Sequence, residues 1–295
     1  MLKTLKTPRR LNGIAYMIAF CCLYSISNMV AKHLSNNIHP VTMIFYKDLL
    51  GLLLLLTTRK YSNAISWPPF TKLNLMAGVL SFIGALVWFV AISHLPINKA
   101  VALSFCTPIF SSIIASLILH ERPEIWQPIS LLVSLVGAYI ILMPPIEGIT
   151  IYDALLLVAC IFWSCSTIVV KKLTQRQDPH TIVIYGTGVV TLISLPWLFI
   201  SSYIPSAQQL LLLLLIAICS KLAQLCIARA YQYTDVTVLM PFDFTRLVFT
   251  SIISYTCFGE ILGANVAVGS FLIVMSGYFI TTREYKKHLL ESKSD

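Results

Sequence analysis

Charged residues are scarce in this sequence. Asp, Glu, Lys and Arg make up only 11% of the 295 residues, whereas apolar residues make up 57% and the mean hydropathy is +0.82. A soluble domain of this composition would expose more apolar surface than water tolerates. The scarcity of charge therefore argues against a soluble protein and indicates an integral membrane protein.

The sequence also lacks the motifs of common enzymes and metal proteins. His120 and Glu121 do not continue into an HExxH pattern, no Gly-rich phosphate loop occurs, and the six histidines have no ligand spacing. All eight cysteines lie in apolar stretches without a CxxC pair, which favours small packing residues over disulfides or metal ligands. We expect no catalytic residue, no metal and no cofactor, and keep a membrane-embedded lipid-processing enzyme as a distant alternative.

Long hydrophilic segments are missing as well. A bilayer core of about 30 Å needs about 20 helical residues per crossing. The first apolar run follows a basic segment, as in a secretory signal, but it is too long and no cleavage site stands out. The predicted fold is therefore an all-α integral membrane protein of about ten transmembrane helices. The apolar runs place them at 11–31, 40–57, 73–93, 97–119, 125–143, 151–170, 181–202, 209–230, 236–257 and 262–281.

The basic residues are distributed unevenly between the predicted connections. If the N-terminus is cytoplasmic, sixteen Lys and Arg residues lie inside and two outside, and Lys47, Lys221 and Arg246 fall within spans. The positive-inside rule then predicts that both termini are cytoplasmic. The net charge of +9 is thus a topology signal, and we expect a multi-pass membrane protein with no nucleic-acid partner.

The two halves of the sequence repeat. A shift of 139 residues aligns polar and special residues in one ungapped register, including Cys21 with Cys160, Ser25 with Ser164, Lys32 with Lys171, Pro40 with Pro179 and Glu121 with Glu260. Each half holds five predicted spans, an odd number, so the second copy must enter the membrane from the opposite side. We expect an inverted-topology repeat with units at 1–143 and 151–281 and a cytoplasmic tail at 282–295. Such repeats are typical of transporters that work by alternating access.

Two stretches carry a resemblance to a known family. Residues 98–144, with CTPIFSSIIASLILHERPE, and residues 235–280, with PFDFTRLVFTSIISYTCFGE, resemble the EamA-type drug/metabolite transporters. The second stretch, together with HPVTMIFYKDLL in the second span, is most similar to the branch that contains S-adenosylmethionine uptake carriers. Amino-acid exporters share this level of similarity, and Lys47 stands where many relatives have arginine.

The resemblance implies a ten-helix fold around a central cavity, in the bacterial inner (plasma) membrane. The first four helices of each half would surround the cavity, and the fifth and tenth would be peripheral, with dimer contacts in some members. Small residues near Gly269 and Gly277 allow a close helix contact, so a homodimer is one expectation.

Charges inside spans are the main candidates for substrate binding, because an unpaired charge at mid-bilayer costs at least about 2.5–3.5 kcal/mol. They are Lys47, Asp48, Lys221, Asp243 and Arg246. Asp243 and Arg246 are three residues apart and share a helical face. The alternative to a binding role for this pair is an internal ion pair that only joins helices.

The remaining candidates are polar and aromatic. Gln224 shares a helical face with Lys221, so both could face the same cavity. An equally good interpretation is that Lys221 extends its side chain to the inner membrane surface. Of the neighbours Lys47 and Asp48, we expect Lys47 to point inward. Trp88, Trp163, Tyr46 and Asn28 are further candidates for substrate contact, against the alternative of packing or interhelical hydrogen bonding, and Pro108 and Pro241 are candidates for helix breaks or hinges.

The candidate site contains three cations and two anions. A surplus of one positive charge favours a ligand with a carboxylate, including a zwitterion. Together with the resemblance to the uptake branch, this charge surplus makes uptake of S-adenosylmethionine or a similar zwitterion the best interpretation, and the alternative is an exporter of amino acids or other metabolites. The sequence leaves the direction, the coupling ion and the oligomeric state open.

Overall fold

The computed structural model describes residues 7–35, 38–60, 69–92, 94–95, 103–142, 150–201, 203, 205–258 and 263–291. This part of the chain is helical throughout, with short connections. Its helices are α1 (Thr7–Ser35), α2 (Pro40–Lys60), α3 (Lys72–Ile92), α4 (Cys106–Ile118), α5 (Trp126–Leu142), α6 (Ile151–Leu173), α7 (Pro179–Ser201), α8 (Ala207–Tyr233), α9 (Val236–Asp243), α10 (Thr245–Phe258) and α11 (Ala264–Glu291).

Two helix starts in the second half carry capping boxes. Thr150 accepts a hydrogen bond from the backbone N–H of Asp153, and the Asp153 carboxylate accepts one at 2.7 Å from the N–H of Thr150. Ser206 and Gln209 make the same reciprocal pair before α8. Each box satisfies backbone donors that a helix start leaves without partners, so these local sequences set where α6 and α8 begin.

Six stretches of the described chain are long and apolar enough to cross a bilayer. They are Leu11–Ala31, Ile151–Leu173, Pro179–Leu198, Ala207–Tyr233, Val236–Ile253 and Ala264–Arg283, and shorter apolar helices lie at Lys72–Trp88, Cys106–Ile118 and Trp126–Leu142. Large apolar side chains such as Leu117, Leu192 and Phe271 are exposed, as on a surface that meets lipid. The all-α membrane fold agrees with the sequence prediction. The last helix runs on to Glu291, through most of the predicted tail.

The helices of the two halves pack across each other. α1 packs mainly along α8 and α3 along α6, and the 139-residue shift converts the first pair into the second. α2 packs on α7 and α5 on α11, and each of these pairs joins equivalent helices of the two halves. Most of the packing therefore runs between the halves rather than within them.

The fifth helix of each half forms a close pair. A Cβ on Gly269 would clash with the carbonyl oxygen of Gly137, so α5 and α11 are in backbone contact there. The hydroxyl groups of Ser134 and Ser276 lie 2.7 Å apart, and Ser276 donates to the Ser130 carbonyl at 2.9 Å. Small residues thus join α5 to α11 inside one chain. The close helix contact expected near Gly269 therefore occurs within the chain, whereas the sequence had suggested it for a homodimer.

The predicted spans at 97–119 and 236–257 are interrupted at equivalent positions. Residues 103 and 104 are helical, Phe105 forms a turn and α4 follows, while Phe244 separates α9 from α10. The two phenylalanines are 139 residues apart. Pro108 and Pro241, the sequence candidates for helix breaks, each lie three residues from an interruption. Pro108 occupies the first turn of α4, where its missing N–H leaves no helical bond unmade.

Candidate functional site

A buried charge cluster joins α2, α7 and α8. The Lys221 ammonium on α8 donates to Asp48 Oδ1 on α2 at 2.5 Å, to Thr187 Oγ1 on α7 at 3.0 Å and to Gln224 Oε1 at 3.2 Å. The side chains of Lys221 and Asp48 are each only 4% exposed. Lys221 therefore does not snorkel to the surface, and the contact with Gln224 agrees with the shared helical face predicted for the two residues.

Lys47 adds a second cation to the same carboxylate. Its ammonium lies 3.1 and 3.0 Å from the two carboxylate oxygens of Asp48, and its side chain is 23% exposed. The expectation that Lys47 rather than Asp48 points inward does not match the structure, because Asp48 is the more deeply buried and Lys47 folds back onto it. Two ammonium groups share one carboxylate, so the cluster carries one positive charge in excess.

The stem of Lys221 crosses α2 at a glycine. A Cβ on Gly51 would lie 2.5 Å from Lys221 Cε and 2.7 Å from Cγ. Gly51 follows Asp48 by one helical turn, so the missing side chain opens a path for Lys221 to reach the carboxylate. This short stretch of α2 supplies both the anion and the space for its cation.

Thr187 was missed by the sequence analysis. It is buried on α7, and the 139-residue shift aligns it with Asp48, so equivalent residues of the two halves contact one ammonium group. The repeat register contained this signal, since α2 and α7 are equivalent helices and a charge at one of them points to its counterpart in the other. Lys221 lies where the two equivalent helices approach each other.

A second cluster surrounds Arg246 at the break between α9 and α10. Its guanidinium forms an ion pair with Asp243, and its Nε donates to the Asp243 carbonyl at 3.2 Å. The guanidinium carbon lies 5.4 Å from the ring centre of Tyr24 and 5.3 Å from that of Phe105. The pairing predicted for Asp243 and Arg246 is confirmed. The cluster is electrically neutral and has aromatic walls.

Equivalent residues on α1 and α6 hold the two interrupted segments. Ser25 Oγ donates to the Arg246 carbonyl at 3.0 Å, and Ser164 Oγ donates to the Thr107 carbonyl at 3.0 Å. Both the donors and the acceptors are 139 residues apart. Cys21 and Cys160 repeat the pattern with carbonyls near the breaks, at 3.5 Å to Phe242 and 3.6 Å to Leu103. The internal repeat of the sequence is therefore also a repeat of contacts.

The other sequence candidates are not part of either cluster. Trp88 and Trp163 contact each other, with ring centres 6.2 Å apart, between α3 and α6. Tyr46 packs among Leu34, Leu213 and other apolar residues, and its hydroxyl donates to the Tyr203 carbonyl at 3.3 Å. Asn28 is exposed, whereas Ser25 and Ser27 beside it are buried.

A third polar arrangement fixes the corner between α8 and α9. The Glu121 carboxylate, just beyond α4, accepts hydrogen bonds from the backbone N–H groups of Val236 and Thr237 at 3.1 and 3.0 Å. The Lys171 ammonium on α6 donates to the carbonyls of Tyr231 and Thr234 at 2.7 and 2.6 Å. An anion thus caps the start of α9 and a cation caps the end of α8, which is the favourable sense for both helix dipoles. We call these contacts of Glu121 and Lys171 the corner clamp.

Comparison with known protein families identifies both halves of the chain. The profile of the EamA-like transporter family matches residues 11–143 and again residues 150–282. The chain has the same fold as a protein of known crystal structure. The TM-score is 0.80, the match covers 94% of this chain and 99% of the other, and the two sequences are 13% identical.

Three relatives match nearly the whole chain. The chain is 28% identical to a riboflavin transporter of Vibrio cholerae, covering 94% of this chain and 95% of the relative. It is 26% identical to an S-adenosylmethionine uptake transporter of Rickettsia prowazekii, covering 94% of each, and 25% identical to a pseudopaline exporter of Pseudomonas aeruginosa, covering 90% and 94%. These relatives differ in substrate and in direction of transport.

Proposed function

The chain belongs to the EamA-like transporter family, and from this premise we propose that it carries a small organic metabolite across a bacterial inner membrane by alternating access. The observation that carries the proposal is the repetition of contacts between the halves. Ser25 with Arg246 and Ser164 with Thr107 are the same interaction made twice, on two interrupted helices.

The proposed topology has ten crossings in two inverted five-helix units, at residues 1–143 and 151–281, followed by a tail at 282–295. Both termini lie in the cytoplasm in this proposal, because that orientation leaves sixteen basic residues inside and two outside. Between units of opposite orientation, exchanging their conformations exchanges the side on which the transporter is open.

The corner clamp supplies a closing contact for such a cycle. In the proposed orientation Glu121 and Lys171 join α4, α6, α8 and α9 at the cytoplasmic side. The 139-residue shift assigns Glu260 and Lys32 as their counterparts at the opposite side; the side chains of both lie outside the described residues. When the contacts at the cytoplasmic side form, the equivalent contacts at the opposite side would break.

The proposed substrate-binding residues belong to the two charge clusters. Lys47, Asp48, Lys221 and Gln224 form the cationic cluster, and Asp243 and Arg246 form the neutral one. Trp88, Trp163, Tyr46 and Asn28 are proposed as more distant contacts, and Pro108 and Pro241 as residues that soften the interrupted helices. No catalytic residue, metal or cofactor forms part of this proposal.

The proposed substrate is S-adenosylmethionine or a similar zwitterion with a carboxylate, taken up into the cell. Two features support it, the single positive charge in excess at Asp48 and the similarity to uptake transporters for S-adenosylmethionine. The second candidate is export of amino acids or other metabolites, which the similarity to a pseudopaline exporter favours. A membrane-embedded lipid-processing enzyme stays a distant alternative, since the named relatives are transporters. A homodimer is proposed as well, to be tested by mass measurement in detergent.

The deciding experiment is uptake of labelled S-adenosylmethionine by cells that produce the protein. Unlabelled amino acids, nucleosides, riboflavin and organic cations serve as competitors. A Leu192→Ala variant, changed at an exposed position of α7, serves as the control for insertion and expression. Saturable uptake that only close analogues block supports the uptake proposal. Efflux of a preloaded competitor without uptake supports the exporter, and no movement of any compound in either direction contradicts both.

A further inference from the structure

Glycines inside the described helices divide into two groups. At Gly13, Gly51, Gly78, Gly84, Gly137, Gly269 and Gly277 a Cβ would lie 3.2 Å or closer to a neighbouring atom, so close packing requires the glycine. Gly186 and Gly188 on α7 differ, because a Cβ at either position would meet nothing within 4 Å. Packing does not explain these two.

A glycine inside a helix has a cost. It destabilises the helix by about 0.5–1 kcal/mol relative to alanine, because it loses more backbone freedom on folding. Gly186 and Gly188 carry this cost without a close neighbour in return. What they share is their position on either side of Thr187, the residue whose hydroxyl accepts from Lys221 at 3.0 Å.

The space beside Gly186 lies on the buried side of α7. Residues one turn away in either direction, Ile182, Val183 and Val189, are 4–7% exposed. The outer side of the helix is marked by Leu192, which is 69% exposed, and Gly188, one turn before Leu192, lies on that outer side. The open volume next to Gly186 is therefore directed into the helix bundle, where the ammonium of Lys221 also lies.

The charges around Thr187 are not balanced among the described residues. Lys47 and Lys221 share the one carboxylate of Asp48, and the remaining partners of Lys221, Thr187 and Gln224, are neutral. A buried positive charge without its own anion is costly, and an incoming carboxylate relieves that cost. Lys47, with 23% of its side chain exposed, is the more accessible of the two cations.

We propose that the gap beside Gly186 is a carboxylate subsite, in which a transported molecule places its carboxylate between Lys47, Lys221 and the Thr187 hydroxyl. This inference rests on the proposed transport function and adds to it the part of the substrate that the cluster recognises. A carboxylate here accepts hydrogen bonds from two ammonium groups and one hydroxyl, and Gly186 leaves room for the atoms attached to it. Molecules without a carboxylate lack this anchor.

The subsite is tested by pairs of competitors that differ only by a carboxylate. In the uptake assay, S-adenosylmethionine is compared with its decarboxylated form, and L-methionine with 3-(methylthio)propylamine. With the unchanged protein we expect the acid of each pair to compete at least tenfold more strongly. Lys47→Met should reduce this ratio to less than twofold. The same pairs are added to the purified protein in detergent, where only the acids should raise the melting temperature.

Gly186→Ala separates a binding role from a structural one. Alanine fills open space and favours the helix, so the variant should insert normally and melt at a higher temperature than the unchanged protein. It should nevertheless weaken competition by the acids several-fold and that by the amines little. Gly78→Ala is the matched control on α3, where the Cβ would lie 2.6 Å from Val189 and should lower the melting temperature.

The outcomes distinguish the subsite from the transport function. Equal competition by acid and amine in a protein with saturable uptake, or unchanged acid preference in both Lys47→Met and Gly186→Ala, overturns the subsite and leaves transport standing. Saturable uptake of riboflavin, which has no carboxylate, with no effect of the acids on melting temperature has the same meaning. Absence of transport for every compound, with no acid raising the melting temperature, overturns both.

Discussion

Phe105 and Phe244 stack on each other with ring centres 5.1 Å apart, and each lies where its helix is interrupted. The two residues are equivalent in the repeat and both are buried. The two broken helices therefore meet at their breaks, and Arg246 covers the Phe105 ring at the same place. This contact joins the two halves at the interruptions of their equivalent helices.

Arg246 is expected to be essential for transport. Arg246→Ala should abolish uptake, because the guanidinium between Tyr24 and Phe105 is lost and Asp243 loses its ion-pair partner. Removing one partner of a buried pair costs about 3–5 kcal/mol, so low expression of the single variant is uninformative. The double variant Asp243→Asn/Arg246→Gln removes both charges and should restore the melting temperature without restoring uptake. Full uptake by that double variant would leave the pair with a structural role only.

Asp48 and Lys221 are expected to contribute unequally to stability. Lys221→Met leaves Asp48 paired with Lys47, whereas Asp48→Asn leaves two ammonium groups without an anion. Asp48→Asn should therefore lower the melting temperature in detergent more than Lys221→Met does. The Asp48→Asn/Lys221→Met double variant should be more stable than Asp48→Asn alone. An equal loss in the two single variants would mean that Lys47 does not compensate for Lys221.

Gly51 is expected to tolerate no side chain while Lys221 is present. Gly51→Ala puts a methyl group 2.5 Å from Lys221 Cε, which forces the lysine stem to shift and should destabilise the protein by about 1–3 kcal/mol. Gly51→Ala combined with Lys221→Ala should lose this penalty. The measurement is a double-mutant cycle on melting temperature. Additive effects of the two changes would contradict the contact.

The corner clamp is expected to restrict access to the corner between α8 and α9. Glu121→Gln removes the anion that caps α9 and should increase opening there. The readout is the labelling rate of a Thr234→Cys variant by a membrane-impermeant maleimide in inverted vesicles, which should rise several-fold. Glu124→Gln, at an exposed position three residues further on, is the matched control and should leave the rate unchanged. An equal effect of both changes would point to a general loosening.

The sequence predicted most of the fold because its signals are local or repeated. Long apolar runs place the helices, and the 139-residue register correctly paired Cys21 with Cys160 and Ser25 with Ser164, which make equivalent contacts. The interruption at Phe105 was not predicted. Nothing in the local sequence marks a phenylalanine as a helix break. The breaks were predicted at Pro108 and Pro241, which lie three residues away from the interruptions.

The candidate site was only partly predictable. Asp243 and Arg246 are three residues apart, which was enough to predict that they could pair, and the pair forms although Phe244 interrupts the helix between them. The contact of Asp48 with Lys221 joins residues 173 positions apart and depends on how α2 packs against α8. Asn28 and Tyr46 were chosen by residue type and predicted depth, and neither property tells which way a side chain faces.

The packing of helices from one half against helices of the other has a consequence for biosynthesis. Ser25 hydrogen-bonds to a residue 221 positions later in the chain. At a synthesis rate of about 5–20 residues per second, α1 waits about 10–45 s for that partner to leave the ribosome. During this interval its buried serines face lipid or the insertion machinery. The amino-terminal half should therefore be short-lived when produced alone and should be rescued from proteolysis when the second half is supplied as a separate chain.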